Sequence, residues 1–300
     1  MSAGNDSAIA RRRLFSGLGF ISPWIAGFAI FTVFPLVASL YYSFCDYDVL
    51  SRPIRIGMLN YRDMVADGVF WQSLGNTLTF SAISLPLGLI MALALALLLN
   101  QPVRGRGVFR AIYYLPSLVP AVATAVVWLW ILNPRNGLLN QALMAVGVAH
   151  PPQWLDSPHW TKPALALMAI WGGGNTVVIF LAALQGVPRA LLEAAMIDGA
   201  SPWQRLWHVT IPAISPVIYF NLIIGVIGGL QTFAQAFVML DNGGPGRSEL
   251  FYAVYLYQNA FELRQMGYAC AMAWVLFLLT LALTWLAARS TRGFVHYQGE

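Results

Sequence analysis

The chain has 300 residues, of which 58% are hydrophobic and only 10% carry a charge, against about 25% charged in soluble globular domains. That balance excludes an ordinary soluble domain and points to an integral membrane protein in contact with a lipid bilayer. The net charge of +5 is spread over short connections, so it reads as membrane anchoring and not as a nucleic-acid surface.

Six stretches are free of charge: 14–45, 68–103, 111–134, 163–188, 206–240 and 265–288. The shortest of them holds 24 residues, and about 20 suffice for a helix to cross the hydrocarbon core. The expected fold class is therefore all-α, with six transmembrane helices and both termini on one side. With the termini inside, the inner segments carry 10 of the 17 basic residues, the bias expected of a cytoplasmic face.

In chain order, a basic tail ending in Arg11-Arg12-Arg13 leads into a first helix over about 18–44, with Pro35 as its expected kink. A mixed-charge outer connection, 45–74, precedes helix two, about 75–100, whose Ala-rich segment at 91–99 is suited to close helix packing. A tight basic turn, 101–110, leads to helix three, about 111–132, which holds Pro116 and Pro120 and ends in an aromatic belt of Trp128 and Trp130. The outer loop 133–162 is predicted to carry a short helix near 138–146 and to cap the bundle, the alternative being contact with an extracytoplasmic partner. Helix four, about 163–186, contains Gly172-Gly173-Gly174 followed by Asn175, which predicts a kink or a very close approach beside an interior polar group.

Between helices four and five lies a short, partly charged, small-residue segment. Pro188 gives it a rigid start, Leu191 to Ile197 are mostly good helix formers, and Gly199 can end that helix in the left-handed conformation. Ser201, Pro202 and Gln204 then have the spacing of a capping box that starts a second helix. The segment is thus predicted to be a helical elbow, with Glu193 and Asp198 offering carboxylates and Ala194 and Ala195 leaving the backbone nearly bare for docking. Helix five, about 213–240, carries Asn221, Gln231 and Gln235, with the two glutamines expected one turn apart on one face. Helix six, about 266–288, is plain and is anchored by Arg289 and Arg292. Cys45 and Cys270 show no pairing pattern, and the four histidines make no ligand spacing, so no metal is expected.

The order Glu193-Ala194-Ala195, two residues, Asp198-Gly199-Ala200, then Pro212 and Pro216, resembles the EAA loop of ABC importer permeases. Leu240 to Gly246, with its Gly-Gly-Pro, resembles the turn after the fifth helix in carbohydrate-type, maltose-like permeases. The resemblance implies a type I importer permease in the bacterial cytoplasmic membrane. Residues 1–13 and 289–300 would be cytoplasmic tails, and 14–288 the six-helix domain, with a permease core over about 71–288 and a coupling loop at 187–216. It further implies that Glu193, Ala194, Ala195, Asp198, Gly199, Ala200 and Pro212 contact the ATPase. The implied partners are a second homologous permease, an ABC ATPase dimer that binds ATP and Mg, an extracytoplasmic solute-binding protein and a sugar.

What the chain lacks agrees with that reading. Its six spans contain no Asp, Glu, Lys or Arg of the kind gradient-driven transporters keep, and its one lysine, Lys162, follows Trp160-Thr161 and belongs to no phosphate loop. A passive or gradient-driven sugar facilitator is the alternative. Neutral amides and aromatics suit a sugar path, so Asn175, Asn221, Gln231, Phe233 and Gln235 are the candidate substrate contacts. No enzymatic activity and no cofactor are expected in this chain.

Overall fold

The computed structural model describes residues 3–102, 104–240 and 249–291; the Gly-Gly-Pro turn at 243–245 and the tail from 292 lie outside them. Among the described residues, four helical runs are long and apolar enough to cross a membrane: Ser16–Tyr42, Gly68–Asn100, Pro202–Met239 and Met266–Ser290. Two bent pairs, Arg106–Leu118 with Ala121–Ile131 and Thr161–Trp171 with Gly174–Gln185, raise the number to six when each is one broken span.

The chain divides into two compact units. The first joins residues 1–66 with 258–275. It contains α1 (Ala3–Phe28) and α2 (Phe34–Tyr42), separated by a π-helical turn at Ala29–Val33 just before Pro35. Proline cannot donate the usual backbone bond, and the wider turn absorbs the gap. A two-residue hairpin follows, β1 (Cys45–Asp46) antiparallel to β2 (Ile54–Arg55), and then α3 (Leu59–Ala66). Asp48 organises the hairpin turn by accepting hydrogen bonds from the Leu50 and Ser51 amides and the Ser51 hydroxyl. Those bonds, Ser51's first, hold its carboxyl below the usual carboxylate range. Buried Asn60 donates to the Ser43 and Cys45 carbonyls, and the Gly267 amide donates to the Tyr47 carbonyl at 3.0 Å. Cys45 and Cys270 are both free.

The second unit holds residues 67–257 and 276–300. Its axis is α4 (Gly68–Asn100), seven residues longer at its start than expected because Asp67 caps it by accepting from the Val69 amide at 2.8 Å. Near its start α4 grips the segment that begins at Glu249: Asn76 donates to the Leu250 carbonyl, and the Thr77 hydroxyl accepts from the Tyr252 amide. Two apolar clusters flank the helix. One gathers Phe80 with Trp128, Leu132, Leu165, Met168, Met239 and Phe251. The other sets Ala92, Ala96 and Leu99 against Val177, Phe180, Leu181, Leu184 and Ile214, which is the close packing the alanines predicted.

Three spans depart from the simple pattern. The third is not one helix over 111–132: α5 (Arg106–Tyr114) and the short turn through Leu118 meet α6 (Ala121–Ile131) at 102°. Pro116 and Pro120 remove donors there, and Arg110 reaches back to the Leu99 carbonyl at the end of α4. The fourth breaks by 50° between α8 (Thr161–Trp171) and α9 (Gly174–Gln185), where the glycine run predicted it. The fifth ends its main helix early, as described below. Trp128 also departs from its expected place in an aromatic belt. It is buried edge-on against Trp171, while Trp130 is exposed.

The connection between the third and fourth spans carries α7 (Leu138–Ala145), held by buried Asn140. Asn140 donates to the Pro134 and Pro152 carbonyls and accepts from the Trp154 indole at 2.6 Å.

Candidate functional site

The elbow forms from short-range signals. Pro188 precedes α10 (Arg189–Ile197), and Gly199 sits at φ 78°, in the left-handed region that only glycine enters freely. The Gly199 amide then donates to the Met196 carbonyl at 3.1 Å and the Ala200 amide to the Ala195 carbonyl at 2.9 Å, the Schellman pair that satisfies a helix C-terminus. Ser201 immediately starts α11 (Pro202–Arg205): its side chain accepts from the Gln204 amide, and the Gln204 side chain accepts from the Ser201 amide. A π-helical turn at Leu206–Thr210 leads to Pro212 in the first turn of α12 (Ile211–Leu230).

This elbow is open on its outer side. Glu193, Ala194, Asp198 and Gly199 are exposed, and so are the apolar Leu191, Met196 and Trp203, with Ile197 at 86%. Ala195, Asp198, Gly199 and Ala200 line a cleft of about 310 Å³ together with Gln204, Arg205 and His208. Six of the seven residues expected to couple thus share one surface, and Pro212 stands behind it, half-buried at the start of α12. On the inner side Leu192 packs on the cluster formed by α4, α9 and α12. The elbow and the three spans are thus joined through side chains in contact.

A second feature lies farther along the same helices. A cavity of about 270 Å³ is bounded by α4 from Phe80 to Leu89, by Ala169, Ile170, Gly173 and Thr176, and by Asn221, Gly225, Gly228, Thr232 and Gln235. Of the candidate substrate contacts it brings Asn221 and Gln235 to one wall and leaves out Asn175, Gln231 and Phe233. Asn175 is exposed at the start of α9 and is not the interior group expected. Gln231 and Gln235 do not share a helical face, because α12 ends at Leu230 and α13 (Ala234–Met239) begins only after a break. Phe233 stacks on Phe237 at 5.1 Å and meets Tyr257 at 5.4 Å, while the Thr232 hydroxyl donates to the Gly229 carbonyl. That local bond and the aromatic cluster hold the break. Ser84, Thr176 and Thr232, also on the cavity wall, were missed; their only sequence signal is a hydroxyl within an apolar span.

Residues 84–295 match the family described as the binding-protein-dependent transport system inner membrane component. The chain belongs to this family. As an inner-membrane, multi-pass component of such a system it has relatives that align along most of its length. It is 38% identical to the probable ABC transporter permease protein YesP of Bacillus subtilis, over 99% of this chain and 97% of the relative. It is 33% identical to the lactose transport system permease protein LacF of Rhizobium radiobacter, over 97% and 99%. Among solved structures, a bacterial alginate ABC transporter in complex with an alginate pentasaccharide-bound periplasmic protein matches with a TM-score of 0.83 and 26% identity. That match covers 95% of this chain and 96% of the solved one.

Proposed function

We propose that this chain is one transmembrane permease subunit of an ATP-driven importer that moves a sugar or related carbohydrate across the inner membrane, with its termini and elbow on the cytoplasmic side. The observation that carries the reading is the elbow: an exposed Glu-Ala-Ala helix, ended by a left-handed glycine and packed through Leu192 onto three spans. A facilitator needs no such projection. The carbohydrate class is supported by the names of the relatives and by the uncharged, hydroxyl- and amide-bearing cavity.

In this reading a second permease pairs with the chain and an ATPase dimer, which binds ATP and Mg, seats the two elbows. A solute-binding protein delivers the sugar from outside. Closure of the ATPase dimer moves the elbow, and α9 and α12 shift against α4, opening the cavity to one side and then the other. Catalysis resides in the ATPase, and this chain supplies the path.

Purification of the tagged full-length chain from native membranes tests the reading: a P-loop ATPase and a second permease accompany it. A chain recovered alone, or with no ATPase, sinks the proposal. The same preparation separates the two glutamines. Gln235→Leu lowers sugar-dependent uptake, since it replaces a cavity amide, whereas Gln231→Leu, on an exposed position outside the cavity, leaves uptake near wild type. Equal losses in both would move the substrate path away from the cavity.

A further inference from the structure

We infer that Gly228 is a specificity-determining residue of this importer: its missing side chain keeps the cavity wide enough for a sugar ring, and the wall it belongs to selects an uncharged saccharide. The inference rests on reading the cavity as the substrate path.

The glycines on the cavity wall fall into two groups. A Cβ at Gly225 would run into the Leu85 side chain, one at Gly229 would lie 2.8 Å from the Ser81 hydroxyl, and one at Gly173 would lie 3.1 Å from the Ile170 carbonyl. Close packing explains those three. Gly228 and Gly88 are different, because a Cβ at either would meet nothing within 4 Å, and neither has a positive φ. Glycine inside a helix is less stable than alanine, and here neither the backbone nor a neighbouring side chain asks for it. Both belong to the cavity wall, Gly228 at an exposed position and Gly88 half-buried, so a side chain at either would extend into open space beside that wall. Gly228 stands four and three residues on from Ile224 and Gly225, on the face that also carries Asn221. Larger side chains there would narrow a space of about 270 Å³, which is already close to the roughly 300 Å³ lower end of small-molecule sites.

The wall also discriminates by charge. Its polar members are Ser84, Thr176, Asn221, Thr232 and Gln235, and none of the residues that line it is ionisable. Asn221 spends one amide hydrogen on the Val217 carbonyl and keeps its oxygen and second hydrogen for a ligand. Hydroxyl groups can exchange bonds with this set. A carboxylate or sulfonate entering the same space would shed water without gaining a cation.

The test uses the importer purified with its ATPase, carrying Gly228→Cys, Gly88→Cys or Gly225→Cys, with the native chain as the background for Cys45 and Cys270. The probes are methanethiosulfonates bearing a methyl, a neutral glucosyl or an anionic sulfonatoethyl group, each rate divided by that with a free thiol. Gly228→Cys and Gly88→Cys should take the glucosyl reagent within about threefold of the methyl one, and Gly225→Cys about tenfold more slowly, because its thiol lies in a packed seam. At Gly228→Cys the sulfonate reagent should lag the glucosyl one by about tenfold. Labelling of Gly228→Cys by the methyl reagent alone would show a space narrower than a sugar, and labelling by neither would place the glycine against another subunit. Either result overturns the inference, and equal rates for the glucosyl and sulfonate reagents overturn its charge selection. Loss of the ATPase from the native complex would instead be a failure of the functional reading, seen before any labelling.

Discussion

Replacing Gly199 by valine should abolish coupled uptake while leaving the protein in the membrane in normal amount. Gly199 has φ 78° and its amide closes the end of α10 onto Met196, so the direction in which Ser201 and α11 leave depends on that one residue. A β-branched side chain in the left-handed region is strained by about 1–3 kcal/mol. The chain can relieve this only by re-aiming the elbow. Nothing lies within 4 Å of a Cβ built at Gly199, so the strain is conformational and does not spread into the transmembrane core. Insertion and overall folding are therefore spared. Asparagine tolerates the left-handed region better than other side chains, so Gly199→Asn should keep most of the uptake and of the co-purified ATPase that Gly199→Val loses. Glu193→Ala should be milder than Gly199→Val, since one exposed ionic contact is worth at most about 1 kcal/mol. Wild-type uptake with valine at position 199 would remove the elbow from the coupling path.

The elbow was legible from sequence because every signal in it acts over three or four residues. Pro188, Gly199 and the Ser201–Gln204 pair each fix a local geometry that needs no tertiary contact. The spans were legible for a similar reason, since a charge-free run long enough to cross lipid has few other fates. What depends on packing was less so. Pro116 and Pro120 announced an irregularity, yet the 102° angle between α5 and α6 is not written in two prolines. The break after Leu230 has no proline within it. Phe233 stacking on Phe237, with Tyr257 brought from farther along the chain, favours it, and no periodicity shows such a partner. Hence the expected face shared by Gln231 and Gln235 failed, whereas Asn221 lies within the continuous α12 and on the cavity wall. Ser84 and Thr176 come from different spans, and only the fold brings them to one wall.

The three consecutive glycines of the fourth span make the sharpest test of that distinction, because the structure gives them different tasks. Gly172 and Gly173 lie between α8 and α9, at the break, and Gly174 begins α9 against the end of α5 and the turn that follows it. A Cβ on Gly174 would lie 2.6 Å from the Tyr113 carbonyl oxygen and 3.1 Å from both the Tyr114 Cα and the Ser117 hydroxyl. Two of those three atoms are backbone, so no rotamer change clears the space, and α9 must move off the bent third span. A Cβ on Gly172 meets only carbonyl oxygens of its own preceding turn, at 3.7 Å. Overpacking of a tight contact costs about 1–3 kcal/mol, whereas a substitution that touches nothing stays within about 0.5 kcal/mol. Gly174→Ala should therefore lower the thermal midpoint and the yield of the purified complex, and Gly174→Val should prevent its recovery, while Gly172→Ala melts with the wild type. The bend between α8 and α9 would persist in Gly172→Ala, because its cause is the seat of Gly174 on the third span and not the freedom of an unsubstituted backbone. Equal melting of Gly172→Ala and Gly174→Ala would show that the third and fourth spans do not meet at this glycine, and the broken geometry of both would then need another cause.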